Sequence, residues 1–262
     1  PATPLSVRPA RMHSHTPAGE ALAPRIAQAF ATMEAAFSSL GASDGSILSS
    51  ACFQTFATNV LAPRLGTFQL AHPEIAVRLD VSDRFIDLEA GESDIAIRLS
   101  REVPPSLESH SLLRLGIAPF ASAEFLDRHP GLNGADPAID DDLRISPGNA
   151  WWRDWSDARC ASRGGESSNP VPRGLQFDSQ ILDAAAAMTG NGAAILAPTL
   201  FLSEIGEGKL IRIGEAIVRP GGVFRLAYSQ ARRASPKVRA FRNWLMKEME
   251  PHFAYDPDGT VA

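Results

Sequence analysis

Two polar segments of the chain carry the side chains best suited to bind a ligand. One covers residues 49–55 and contains Ser50 and Thr55, and the other covers residues 177–180 and contains Ser179. Each lies where a predicted strand passes into a predicted helix, and the first N–H groups of a helix have no partner within it. With neighbouring hydroxyl groups they suit a small anion such as a carboxylate. The same Ser and Thr side chains could instead be simple N-caps.

The positions of these segments suggest a cleft. Ligands of open α/β sheets lie beyond the carboxyl ends of strands, and one junction in each half of the chain is what a two-lobed cleft requires. Cys52 lies beside the first junction. A thiolate there would be stabilised by a helix N-terminus, which would allow redox sensing. A small buried thiol is the favoured interpretation.

The chain lacks the motifs of common catalytic and cofactor sites. It has no GxGxxG, phosphate loop, HExxH or GxSxG pattern, and its histidines have no carboxylates at ligand spacing. The acidic run 140–142 could hold a hard cation, although such a run usually lies on a solvated face. Trp151, Trp152 and Trp155 share one helical turn, which is typical of core packing. We therefore expect no enzymatic activity, no cofactor and no metal.

Composition and charge narrow the class of protein. The 262 residues have a net charge of -5, which does not favour nucleic-acid binding by this chain itself. Two cysteines give no disulfide framework. Residues 1–16 resemble no secretory signal peptide, and no apolar run reaches the length of a membrane span. We expect a cytoplasmic protein with no membrane contact.

A long helix is predicted near the N-terminus. Thr16 is a candidate N-cap, Pro17 suits the first helical position, and residues 41–45 form a flexible joint after the helix. Heptad spacing favours a partner helix, although packing on the chain's own domain stays open. The apolar seam consists of Leu22, Ile26, Ala29, Met33, Ala36 and Leu40.

The rest of the chain alternates between strand and helix patterns, which predicts an α/β fold with mostly parallel sheets covered by helices. Predicted strands cover residues 46–50, 75–81, 94–99, 117–122, 143–145, 175–177, 193–197, 210–213 and 224–228. Predicted helices cover residues 53–70, 86–90, 123–128, 180–189 and 236–250, with a further turn at the tryptophans.

A family resemblance runs through most of the chain. Residues 15–22 resemble the start of the linker helix of LysR-type transcriptional regulators, and the basic stretch 4–11 resembles the wing of their winged helix-turn-helix. The pattern is most similar to the branch that regulates glycine cleavage and β-lactamase induction. Further matches lie at residues 56–57, 61–65, 68, 72–75, 77–79, 86–88, 91, 94–98, 190–192 and 240–245.

The resemblance implies two Rossmann-like subdomains of the type 2 periplasmic-binding-protein kind, preceded by a dimerisation helix. Most of the DNA-reading domain is expected to precede residue 1, which accounts for the acidic charge of this chain. The implied segments are a wing remnant at 1–15, the linker helix at 16–43, subdomain I at 44–121 and 219–250, subdomain II at 122–218 and a tail at 251–262.

The resemblance also implies where an effector binds. Thr55 and Ser179 match hydroxyl residues that contact the ligand in the β-lactamase-inducer branch, and Asp87 matches an acidic residue there. Phe224 stands where that branch has a tyrosine, so the same effector is not implied. The complete expected set is Ser50, Cys52, Thr55, Asp87, Phe120, Ser122, Phe177, Ser179 and Phe224.

The sequence therefore predicts a transcriptional regulator that senses a small, anionic metabolite between two lobes. Its expected partners are this effector, promoter DNA through the missing N-terminal domain, RNA polymerase, and further copies of the chain in a homodimer or homotetramer. The alternative is a solute-binding protein of a transporter with the same two-lobe architecture. Such a protein would need a signal peptide and would lack the heptad helix.

Overall fold

The fold was analysed in a computed structural model of the 262-residue chain. The structure describes residues 6–7, 14–23, 25–26, 29, 47–146, 148–163 and 175–253. Among these residues no helix is both long and apolar enough to cross a membrane.

Two β-sheets organise two lobes. The first sheet has five strands in the order β4-β3-β5-β10-β6, and the second has three in the order β8-β7-β9. A separate two-stranded hairpin, β1-β2, precedes them. The strands are β1 (Ser6–Val7), β2 (Ser14–His15), β3 (Ile47–Cys52), β4 (Ala76–Val81), β5 (Ile95–Ser100), β6 (Leu107–Arg114), β7 (Ala118–Ala121), β8 (Ala194–Leu196), β9 (Ile211–Arg212) and β10 (Val223–Ser229).

Helices lie between these strands and close the chain. Helix α1 begins at residue 17, and its described residues are 17–23, 25–26 and 29. The other α-helices are α2 (Gln54–Phe56), α3 (Leu65–Ala71), α4 (Ala123–Arg128), α5 (Ala150–Arg163), α6 (Gln180–Met188), α7 (Leu202–Gly206) and α8 (Pro236–Phe253), and a π-helical turn, Ala57–Leu61, follows α2.

The start of α1 agrees with its predicted N-cap. Thr16 Oγ1 accepts a 3.1 Å hydrogen bond from the N–H of Gly19, and its carbonyl accepts from Glu20. Ile26 is 44% exposed, and Leu22 is half-buried. The later seam positions Met33, Ala36 and Leu40 lie outside the described residues, as do most residues of the predicted wing.

The predicted predominance of parallel strands is wrong. Among the strands of the described residues, β3 alone pairs in parallel, with β4 and β5, whereas β10 runs antiparallel between β5 and β6. All ladders of the second sheet are antiparallel. The sequence pattern missed β6 because its first half is polar and half-buried. The returning strand β10 comes from far along the chain, which strand-helix alternation cannot reveal.

Several predicted elements also differ locally. Residues 86–90 form a turn, because Asp87 Oδ1 accepts hydrogen bonds from the N–H groups of Glu89 and Ala90 and so competes with helix formation. Residues 175–177 form no strand, and 143–145 contain only a bridge at Arg144. The predicted helix 53–70 is interrupted after the π-helical turn, and α8 extends to Phe253, into the predicted tail.

The chain changes from the first sheet to the second before β7. Among the described residues β7 pairs with β8 and β9, so residues 118–121 belong to the second sheet. The chain crosses at Ile117, whose bridge to Val218 marks the return crossing.

A buried ion cluster attaches the C-terminal helix to the first sheet. Asp94 is 5% exposed and lies 2.7 Å from the ammonium of Lys237 and 2.8 Å from the guanidinium of Arg232. The N–H of Ser49 donates to the same carboxylate over 2.9 Å. Because its charge is matched and its oxygens are occupied, this carboxylate can be buried without a large desolvation penalty.

Candidate ligand-binding cleft between the lobes

A cavity of about 430 Å³ lies where the two polar segments predicted from the sequence face each other. Helices α2 and α6 are in contact beside it. Its first wall comes from the end of β3 and the start of α2, and its second from the loop before α6 and the start of α5. The lining residues are Phe53, Gln54, Thr55, Asp83, Gly148, Asn149, Trp151, Gln176, Phe177, Asp178, Ser179, Gln180 and Asp183.

Thr55 is the polar side chain of the first wall. It is 3% exposed, lines the cavity, and its hydroxyl has no hydrogen-bond partner among the described residues. Phe53 occupies the N-cap position but contributes no side-chain cap. Helix α2 continues directly into the π-helical turn, so its first N–H groups add some positive potential at this wall. The hydroxyl of Thr55 is not among the completely buried unpaired atoms of the described residues, so water or a ligand in the cavity can bond to it.

Ser179 caps the helix of the second wall. Its backbone is extended, and its Oγ accepts a 3.3 Å hydrogen bond from the N–H of Ile181. The N-cap alternative considered for this residue therefore describes its geometry, although the side chain also lines the cavity. Across the helix, Gln180 Oε1 accepts from the N–H of Ala197 over 2.8 Å, which fixes the start of α6 against β8.

Asp183 is a cleft residue that the sequence analysis missed. It is 2% exposed, and one carboxylate oxygen accepts a 2.6 Å hydrogen bond from Ser146 Oγ. The other oxygen has no partner among the described residues. Burial, reinforced by the charge of Asp178, raises the pKa of Asp183 to about 6. Its position four residues after Ser179 was the available signal, since such residues share one helix face.

Ser146 connects the parts of the second wall. Besides bonding Asp183, its Oγ accepts from the N–H of Phe177 over 2.9 Å. The N–H of Ser146 in turn donates to the carbonyl of Leu175. Residues 175–177 are therefore held by Ser146 and not by a strand ladder, which leaves Phe177 at the cavity.

The two lobes are joined beside the cavity by a direct hydrogen bond. Asn59 Nδ2, on the π-helical turn, donates to the carbonyl of Leu200 over 3.0 Å. π-Helical turns occur frequently at functional sites, where the extra residue redirects neighbouring groups. Here the turn directs an amide from the first lobe to the second.

Three of the nine expected effector-binding residues line the cavity: Thr55, Phe177 and Ser179. Ser50 and Cys52 do not, because both side chains are completely buried on β3. Burial raises the pKa of the Cys52 thiol to about 12, although Arg98 lowers it in part. This is the environment of a buried neutral thiol and not of a stabilised thiolate.

The remaining expected residues also lie away from the cavity lining. Phe120 is fully buried on β7, and Ser122 is the N-cap of α4, accepting from the N–H of Phe125. Asp87 caps its own turn beside a different cavity, on the face of the first sheet covered by residues 83–89. Phe224 is 2% exposed but stacks on Phe53 with ring centroids 5.2 Å apart, so it supports one wall from behind.

No group of three or more His, Cys, Asp or Glu side chains that could hold a metal ion occurs within the described ranges.

The fold and the cavity define a two-lobed α/β protein with a candidate ligand-binding cleft, and comparison with known proteins identifies its family. Residues 41–250 match the LysR substrate binding domain family. The chain is 26% identical to the HTH-type transcriptional activator AmpR of Citrobacter koseri over 201 residues, covering 77% of this chain and 67% of that protein. It is 28% identical to the glycine cleavage system transcriptional activator of Escherichia coli (strain K12), covering 73% and 61%.

Solved structures of LysR-type effector domains have the same fold as this chain. The effector domain of AmpR from Pseudomonas aeruginosa has a TM-score of 0.62 at 23% identity, covering 83% of this chain and all of that domain. The chain therefore belongs to the LysR family, and its relatives are transcriptional regulators and not transporter solute-binding proteins. The chain spans 67% of the length of the Citrobacter koseri regulator and 61% of the length of the Escherichia coli regulator.

Proposed function

We propose that this chain is the sensing and dimerising part of a cytoplasmic LysR-type transcriptional regulator. A small molecule binds between the lobes, and its binding alters how an oligomer holds promoter DNA. The observation that carries this proposal is the placement of Thr55 and Ser179 on opposite walls of one cavity. A ligand that contacts both walls favours one relative arrangement of the lobes and shifts their equilibrium.

The net charge of this chain supports the proposal that another part of the complete regulator binds DNA. With a net charge of -5, this chain repels the phosphates of DNA. Binding to operator DNA then belongs to a winged helix-turn-helix preceding the linker helix, and α1 brings two copies together. Contact with RNA polymerase, and a dimer or tetramer as the working form, are part of the same proposal.

Gene disruption in the encoding organism tests the proposal. Loss of the gene should change the transcripts of a small set of operons, and the complete wild-type gene should restore them. Genes carrying Thr55→Val or Ser179→Ala should restore basal transcript levels but not the response to growth conditions, because effector contacts are lost without loss of folding. Asp127→Asn, on the exposed face of α4, is the matched control. An unchanged transcriptome after disruption would refute the regulatory role.

A further inference from the structure

The cleft differs in charge from the anion site that the sequence suggested. Three carboxylates line it, those of Asp83, Asp178 and Asp183, and none of its described lining residues is Lys, Arg or His. Arg98 lies close enough to Asp83 to offset part of that charge. The electrostatic potential in the cavity therefore depends mainly on Asp178 and Asp183, both at the start of α6.

The helix dipole does not reverse this balance. The N-terminus of α6 is equivalent to roughly half a positive charge, and Ser179 already bonds one of its free N–H groups. The buried carboxylate of Asp183, together with the exposed and more screened carboxylate of Asp178, outweighs this half charge. An anionic ligand would have to enter beside a carboxylate that is 2% exposed and hence poorly screened by solvent.

The apolar part of the lining is also suited to a cation. Phe53, Phe177 and Trp151 are half-buried side chains around the same cavity. Aromatic faces attract ammonium groups, and carboxylates beside such faces complete a site for a positively charged nitrogen. Phe53 is held in place by its stacking on Phe224.

Two polar atoms of cavity-lining side chains have no partner among the described residues. One is the hydroxyl of Thr55, and the other is the second oxygen of Asp183; neither has a hydrogen-bond partner among the described residues. Both side chains are more than nine-tenths buried. An ammonium group donates several hydrogen bonds and accepts none, so it can satisfy the carboxylate and the hydroxyl oxygen together.

We propose that the ligand of this cleft carries a positively charged nitrogen, a primary or methylated ammonium, which is held by Asp183 and Asp178 and packed against Phe53, Phe177 and Trp151. The inference rests on the proposed function, since it names the chemical class of the effector. It replaces the anionic effector expected from the sequence.

Nuclear magnetic resonance titrations of the 262-residue protein test the inference. The probes are n-butylammonium, tetramethylammonium and 1,4-diaminobutane, with sodium butyrate and phosphate as anionic counterparts at matched ionic strength. We expect the ammonium probes to shift the Trp151 indole and the amides around Ser179 saturably. Asp183→Asn should weaken this binding about tenfold or more, as expected for loss of a charged hydrogen-bond partner. Asp127→Asn, with the same charge change on an exposed surface, should leave it unchanged.

The outcomes separate this inference from the proposed function. Saturable shifts by the anions, without shifts by the ammonium probes, would overturn the cationic effector while leaving the cleft as the effector site. Ammonium binding that Asp183→Asn does not weaken would overturn it too, as would a cleft that responds to no probe. The transcript experiment tests the regulatory role by itself.

Discussion

Ser146 donates a 2.6 Å hydrogen bond to the buried carboxylate of Asp183. The same hydroxyl oxygen accepts from the N–H of Phe177, so one side chain connects α6 with the segment that precedes it. Ser146 holds this position with a positive φ of 49°. The second wall of the cleft therefore depends on a single strained residue.

Two substitutions of Ser146 should show how much its hydrogen bonds and its backbone strain each change the free energy of unfolding. Ser146→Ala removes both bonds and keeps the left-handed backbone, and we expect the free energy of unfolding to fall by about 2–3 kcal/mol. Ser146→Gly removes the same bonds but tolerates the backbone, so it should lose about 1 kcal/mol less. Urea denaturation measures both values. A glycine variant that is no more stable than the alanine variant would show that the backbone at Ser146 is not strained.

Asp183 should make stability depend on pH. Its pKa is about 6 in the folded protein, against an ordinary value of 3.8 for an aspartate side chain. The folded state therefore binds the proton more tightly, and ionisation destabilises the fold progressively as pH rises from about 4 to above 6. Asp183→Asn keeps an acceptor for Ser146 without the charge. We expect this variant to be more stable than wild type at pH 7.5, by at most about 3 kcal/mol.

The advantage of Asp183→Asn should vanish as pH falls towards 4, where the wild-type carboxyl is protonated in both states. Urea denaturation at several pH values between 4 and 7.5 measures it. Asp127→Asn, at an exposed position, should show no comparable trend. An advantage that stays constant over this range would exclude titration of Asp183 as its cause.

Cys52 should be unreactive in the native protein. Its side chain is completely buried, and burial raises its pKa to about 12, so almost no thiolate exists at pH 8. Iodoacetamide should leave Cys52 unmodified in native protein and alkylate it in urea, as peptide mass mapping would show. N-acetylcysteine serves as the reference for an exposed thiol. Rapid alkylation of Cys52 in the native protein would support the alternative that this cysteine is a redox sensor.

Ile26 should be part of a helix-helix interface. It is 44% exposed in the single chain, although it lies on the predicted apolar seam. Ile26→Asp would place a charge in that interface, and we expect sedimentation velocity to shift towards monomer. Ala21→Asp adds the same charge at an exposed position of α1 outside the seam and should keep the oligomer. Unchanged sedimentation of the Ile26 variant would refute the seam.

Part of the fold followed from local patterns. The cap at Thr16 was predicted because it uses residues within one helical turn, and α4 and α6 were placed to within a residue because caps and periodic apolar faces are local signals. Residues 86–90 were misassigned because Asp87 bonds its own backbone, and that hydrogen bond competes with helix formation.

The candidate site, too, was only partly predictable from the sequence. The sequence by itself indicated the family, the polar junctions, and Thr55, Phe177 and Ser179 as candidate binding residues, since motif and spacing are local properties. Only the tertiary structure decided the antiparallel course of β10 and the burial of Ser50 and Cys52. It also brought Asp183, the lone hydroxyl of Thr55 and three aromatic side chains to one cavity. Burial and electrostatic potential depend on groups that are far apart in the chain. The negative charge of the cleft could therefore be recognised only from the structure, which shows the residues of both walls together.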